Sequence, residues 1–399
     1  MSSSPIPPRR FSAPPTHMDY KKASSKARRH RHRAQVHEEN GTPGLKQAVV
    51  KRQREAMGNA IQVDVNIEGI EHSGPAWIRS RTAETIHEDG MAGRKYTADE
   101  IFQLTGSRSP LSTPMVVSSP SWAERLRTSK TGRPSPMALP NSWKTMHTAL
   151  VYRKSSSTIA RAHGSYPSIA RGVSHGGRQT EPGNLQTNKK NKWVTDELLT
   201  HEHFNRLSKW ANLLFWTFAP LLATFFQVQM GLLAASKPSL VWNFAGSVFA
   251  ACTFNFGPHA ITVPHLDFAN LAWGWCAITA LGRFNPNRGG HLILWDLKLV
   301  IWFPPGSTVL IPSALIRHSN VPIAVDEFWA SFTQYTAGGL FRWIRNGFKT
   351  DEQFELTTSV QEKEARAEEA KTRWEDGVSM YSTIDSLLLD RLSASHIAS

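Results

Sequence analysis

His265-Leu266-Asp267 puts an imidazole and a carboxylate two residues apart, and His318 adds a second imidazole 51 residues beyond the aspartate. Two imidazoles and one carboxylate on one face of an octahedron are the protein donors of a non-haem iron(II) site, which keeps its other positions open for oxygen and a co-substrate. In an extended strand residues i and i+2 project from the same side, so the pair suits one metal ion where a strand ends. The third ligand must then arrive from a later strand. The spacing leaves a second reading open, in which His265 and Asp267 close a hydrogen-bonded turn and His318 is a satisfied core or surface histidine. His259 lacks a carboxylate at matching spacing and His291 follows a glycine turn, so both are read as structural.

The surrounding sequence has the pattern needed to bring distant strands together. Short runs rich in Val, Ile, Phe, Trp and Thr cover 247–256, 259–267, 274–281, 291–296, 297–303, 307–312 and 328–335. Between them stand turn formers, NPNRGG (285–290) and PPG (304–306), whose glycines supply positive φ and whose prolines pre-set the turn. Short strands at this spacing imply an α+β chain built on a closed or double-layered antiparallel β fold of jelly-roll or cupin type. Helical structure is expected upstream, over about 193–236, broken near Pro220 because proline removes a donor and clashes with the preceding turn. Within it, 211–235 is apolar and long enough to be weighed as a membrane span. Its Asn212, Thr217, Pro220, Thr224, Gln227 and Gln229 favour a buried helix and no stable membrane insertion. From Thr350 the chain returns to helix. There Glu362 and Arg366 have i,i+4 spacing, and Trp374, Tyr381 and Leu387 favour docking of the second half.

Charge divides the 399-residue chain in two. Residues 1–192 hold 31 Lys and Arg against 14 Asp and Glu, a net of +17, whereas 193–399 hold 15 against 18, a net of −3. Residues 1–190, rich in Ser, Pro, Gly and basic side chains without a sustained period, are read as a mostly disordered basic region. Its densest run, KARRHRHR (26–33), suits phosphate contacts or nuclear import, or is a solvated charge run. Short helices are expected near 45–57 and 97–104, and ordered packing from about Trp193. The three regions are therefore 1–190, a β domain over 193–348 and a helical tail over 350–399. Cys252 and Cys276 lack disulfide or zinc-finger spacing, and the N-terminus lacks the apolar core of a secretory signal. An intracellular, nuclear protein with nucleic acid as partner is the expectation.

In order along the chain stand FNFGP, PHLDFAN, GWC, ALGRF, GGHLILWDLKLV, FPPGS, LIPSA and HSN, followed by SFTQYTAGGLFRW and, in the tail, RWEDGVSMYSTIDSLL. This run resembles the TET/JBP-like 2-oxoglutarate and iron(II) dioxygenases of the type found in fungi alongside transposable elements. The resemblance spans roughly 193–348 and implies a double-stranded β-helix barrel with flanking helices. It implies His265, Asp267 and His318 as iron ligands and Asn270 near the metal centre. The activity implied couples oxidation of 2-oxoglutarate to oxidation of a methyl group on 5-methylcytosine or thymine, with the base flipped from its stack.

One position departs from the pattern. The family places an arginine about ten residues after the distal histidine and two before a serine, where its planar fork pairs with the far carboxylate of 2-oxoglutarate. Here Ser331 is present and Trp329 stands where the arginine is expected. Arg317, Arg283, Lys298 or Arg342 would have to replace the charge, with Arg317 and Ser331 taken as co-substrate contacts. Otherwise the chain binds another co-substrate, or keeps the fold as a catalytically impaired nucleic-acid-binding or regulatory module.

Overall fold

The computed structural model describes residues 76–78, 116–117, 166–177, 179–383 and 385–397. By its contacts the chain divides into Met1–Asn59 and Ala60–Ser399, and all described residues belong to the second unit. The basic run 26–33, the helices expected near 45–57 and 97–104, and most of the region read as disordered lie outside the described residues.

Three helices precede the main β region: α1 (Lys189–Thr200), α2 (Glu202–Phe218) and α3 (Pro220–Ser236). The helical stretch expected over 193–236 is broken at Pro220, as expected, and also at His201. At the first cut His201 is extended and caps α2, its Nδ1 accepting from the His203 amide. At the second, Pro220 opens α3 at its first position, where the missing N–H costs nothing. No helix among the described residues is long and apolar enough to cross a membrane.

Ten described strands make two sheets. They are β1 (Val116–Val117), β2 (Ser168–Ser174), β3 (Gly183–Asn184), β4 (Ala251–Asn255), β5 (Cys276–Arg283), β6 (Leu292–Leu294), β7 (Leu299–Ile301), β8 (Thr308–Ile311), β9 (His318–Asn320) and β10 (Phe328–Tyr335). The larger sheet runs β1-β8-β5-β10-β4-β2-β3 and the smaller β7-β6-β9, and every pairing is antiparallel. Because β2 pairs with β4 and β1 with β8, packing begins upstream of Trp193, which corrects the expected boundary.

The period of 2 in β10 sorts its side chains. Phe328, Ala330 and Phe332 join Phe254, Phe256 and Leu281 in a core shared with Val194, Leu198 and Phe204 of α1 and α2. Phe204 meets Phe254 and Phe332 edge-on at 5.1 and 5.2 Å. Trp329, Ser331, Thr333 and Tyr335 therefore occupy the opposite face, together with Thr253 and Asn255 of β4 and Cys276 and Ala280 of β5.

Residues 259–267, expected as a strand, form only isolated bridges at His259 and His265. Pro258 and Pro264 explain this, since neither offers a backbone N–H to a ladder. Downstream stand α4 (Gly338–Arg345), α5 (Asp351–Thr357), α6 (Val360–Val378) and α7 (Leu387–Ile397). The tail docks as expected: Trp374 and Leu387 are buried, and the Tyr381 hydroxyl donates to the Trp273 carbonyl at 2.8 Å. Arg366 pairs with Glu369, three residues further on, at 3.5 Å, two turns beyond the Glu362 that sequence spacing suggested.

Candidate metal centre

The backbone brings the two histidines together before their side chains do anything. His265 and His318 exchange both main-chain hydrogen bonds, at 3.2 and 3.0 Å, as a directly opposed antiparallel pair. Opposed residues project to the same face of a ladder, and the two imidazole centroids lie 4.3 Å apart. Two residues on, the Asp267 amide donates to the Ser313 carbonyl at 3.0 Å, which continues the alignment and sets the carboxylate beside the rings. One donor atom from each of His265, Asp267 and His318 falls within 4.8 Å of the others. His265 Nε2 and Asp267 Oδ1 are 3.9 Å apart, beyond hydrogen-bond range.

Both rings carry the same tautomer. His265 Nδ1 lies 2.7 Å from the Val263 carbonyl and His318 Nδ1 lies 2.9 Å from the Ile316 carbonyl. A carbonyl can only accept, so each Nδ1 bears the hydrogen and each Nε2 presents a lone pair. Burial, and secondarily the neighbouring His318, lower the His265 pKa to about 4, with Asp267 opposing them, so this imidazole is neutral at physiological pH. Imidazoles locked through Nδ1 by a backbone acceptor beside a carboxylate are what a divalent ion requires of its ligands.

Further residues fix this arrangement. Asn270 Nδ2 donates to Ser313 Oγ at 3.0 Å and to Asp267 Oδ2 at 3.4 Å, while its amide closes a turn on the Asp267 carbonyl at 2.9 Å. The chain on either side of His318 is held by the turn after β6. The Trp295 amide bonds the Arg317 carbonyl, Trp295 Nε1 donates to Ser319 Oγ, and Arg317 Nε donates to Asp296, all at 2.9 Å.

Asp267 faces the inward side of the larger sheet. Burial and then the Asp267 charge raise Tyr166; burial, partly offset by a hydrogen bond from Thr253, pushes Tyr335 up to about 12, with Asp267 adding to the rise. Cys276 is raised by burial and by the same carboxylate. All three stay protonated at neutral pH.

The remaining sequence-derived residues are placed as follows. Ser331 is buried and accepts from Asn255 Nδ2 at 2.9 Å. Arg317 is tied to Asp296 and Arg342 to Asp351 at 3.4 Å, while Arg283 and Lys298 are exposed. His259 Nε2 lies 3.3 Å from the Ala324 carbonyl, and burial lowers the His291 pKa; neither belongs to the triad. Sequence reading missed Tyr166, Tyr335, Ser313 and Asp296. The alternation in FWASFTQY offered a signal for Tyr335, two and four positions beyond Thr333 and Ser331.

No protein-family model and no curated protein matches the chain. Among solved structures it is similar to NgTET1 in complex with 5mC DNA, at 13% identity and a TM-score of 0.35, over 50% of this chain and 66% of that one. It is also similar to an oxidoreductase of the 2OG-Fe(II) oxygenase family from Burkholderia pseudomallei, at 14% identity and a TM-score of 0.27, over 49% of this chain and 76% of the other. The chain thus spans just under two thirds of the first of these structures.

Proposed function

We propose that the protein is an iron(II)-dependent, 2-oxo-acid-dependent oxygenase acting on nucleic-acid bases, of the kind that oxidises the methyl group of 5-methylcytosine or thymine. The observation that carries this reading is the convergence of His265, Asp267 and His318 with both Nδ1 atoms committed to backbone carbonyls. The two antiparallel sheets are read as the layers of a double-stranded β-helix, with strands from 116–184 added to the 193–348 domain and 350–399 as its helical tail. The run of motifs from FNFGP to HSN supports kinship with the fungal TET/JBP-like dioxygenases, and the basic half supports a nucleic-acid partner and a nuclear location.

The donor set fits a divalent first-row metal: His265 and His318 would hold it through Nε2 and Asp267 through a carboxylate oxygen. Bound there, iron would supply activation of molecular oxygen for insertion into a C–H bond. The chain's own part is positional. Asn270 and Ser313 fix the Asp267 carboxylate, the Val263 and Ile316 carbonyls fix the ring planes, and the burial of His318 keeps bulk water from that side of the site. Tyr335, whose oxygen accepts from Thr253 at 3.3 Å, keeps its own proton available to donate toward the interior.

The test uses the full chain with iron(II), ascorbate, a panel of 2-oxo acids and DNA containing 5-methylcytosine. Mass spectrometry should find the hydroxymethyl base, and His265→Ala should abolish it. Product no greater than that variant's background with every 2-oxo acid rejects the reading. The burial of Trp329 favours a second reading, a fold retained for binding alone. That reading requires DNA affinity that His318→Ala leaves unchanged together with no oxidised base.

A further inference from the structure

The inward face of β10 changes character along its length. From the end nearest Asp267 it carries Tyr335, Thr333, Ser331 and then Trp329. The first three are polar and lie beside the β4 side chains Thr253 and Asn255, which donate to Tyr335 and Ser331 at 3.3 and 2.9 Å. The row then ends on an aromatic wall. Trp329 is 1% exposed and packs against Phe284 at 4.7 Å and Phe303 at 5.9 Å between ring centroids, and both partners are themselves buried.

Glycines stand where the wall packs most closely, a Cβ at Gly290 first meeting the Phe284 ring and one at Gly282 the Phe328 carbonyl. Gly290 has φ +72°, and a Cβ there would fall 2.9 Å from the Trp329 ring. Gly282, opposite Trp329 in the β5 ladder, has φ +128°. The indole Nε1 is buried and has no hydrogen-bond partner among the described residues. It is a donor enclosed by apolar surface, suited to a neutral acceptor or to none.

The cations weighed as replacements for the missing charge are held or exposed elsewhere. Arg317, Arg342 and Arg171 are paired with Asp296, Asp351 and Asp196, and Arg283 and Lys298 are exposed. Arg283 also lies on the helix-facing side of β5, in step with Leu281. Burial lowers the pKa of His291, next to Gly290. A carboxylate lodged against Trp329 would lose its hydration and gain no counter-charge from these groups.

We propose that the interior at Trp329 selects the tail of the metal-chelating ligand, accepting a 2-oxo monocarboxylate with an uncharged tail and disfavouring a dianion such as 2-oxoglutarate. Trp329 is then the specificity-determining residue, with Phe284 and Phe303 completing an apolar box. The inference rests on the metal reading of His265, Asp267 and His318, and the experiment separates the two.

Cobalt(II), which takes the same nitrogen and oxygen donors, serves as a spectroscopic probe on the full chain. In the first arm its visible absorption is followed on titration into the wild type and into His265→Ala. In the second, cobalt-loaded wild type is titrated with 2-oxohexanoate and with 2-oxoglutarate, and half-saturation is read from the spectral change. The uncharged-tail acid should saturate at a concentration at least about thirtyfold lower, the least that one unpaired buried carboxylate implies. Trp329→Arg should reverse the order, and Trp329→Phe, which keeps the apolar fill, should preserve it. Should Trp329→Arg not fold, the wild-type ranking and Trp329→Phe decide.

Tighter or equal binding of 2-oxoglutarate by the wild type overturns the proposal, as does a spectrum indifferent to both acids. Cobalt that binds equally well without His265 overturns the metal reading, and the proposal falls with it.

Discussion

At the scale of single residues, the triad was legible because its chemistry is written in residue type and spacing: the H-x-D pair and one later histidine embedded in β-forming runs. What holds the triad was less legible. Ser313 and Asp296 are ordinary polar residues whose partners lie 43 and 21 positions away along the chain, and no local pattern announces such a bond. Asn270 was expected near the centre, and its role is now specific: it bonds Asp267 Oδ2 and Ser313 Oγ at once. Residues that orient a metal ligand are commonly worth about 10–100-fold in metal affinity. Asn270→Ala should therefore weaken cobalt or zinc binding by about that factor in calorimetry. Unchanged affinity would mean that the carboxylate is held well enough by the backbone bond between Asp267 and Ser313 alone.

At the scale of elements, strands with a strong period were readable and short or interrupted ones were not. FWASFTQY coincides with β10, whereas 259–267 reads as a strand yet is broken by Pro264, with Pro258 just before it, into two bridges. β2 escaped notice because SIARGVS holds only Ile169 and Val173 as strand-forming apolar residues within a Ser- and Gly-rich stretch, and β1 is two residues long. Tertiary pairing, with β4 and β8, decides both. β10 does two jobs at once, since its even-numbered side chains pack on the helices while its odd-numbered ones face the candidate site. Phe332 sits at the centre of the packed side, 5.3 Å from Phe254, 5.2 Å from Phe204 and 5.9 Å from Phe244 between centroids. Its truncation to alanine removes a fully buried ring and leaves a cavity among three others, which should lower unfolding free energy by about 3–5 kcal/mol in chemical denaturation. A loss below about 1 kcal/mol would show that the helices α1 and α2 collapse onto the sheet without it.

At the scale of the whole molecule, the governing feature is the division of charge, which composition alone made visible. With a net of −3 over 193–399, the half that carries the triad has no overall attraction for a polyanion, while 1–192 carries +17. Residues 193–399 have local positive clusters, such as Arg345, Arg366 and Arg373 gathered around Glu369, but the acidic residues of α6 surround them. Affinity for nucleic acid should therefore come mainly from the basic half and be insensitive to base sequence, with selectivity left to whatever the triad admits. Each phosphate contact contributes roughly 0.9 to the slope of log affinity against log salt on duplex DNA. Replacing Lys26, Arg28, Arg29, Arg31 and Arg33 with serine should thus reduce that slope by up to about 4.5, measured by fluorescence anisotropy from about 50 to 200 mM salt. His318→Ala should leave the slope where it was, because an imidazole committed to Ile316 and to the triad touches no phosphate. The reverse pattern, a slope unmoved by the five serines and altered at His318, would place the electrostatic contacts in the β domain and remove the reason for reading the basic half as the nucleic-acid arm.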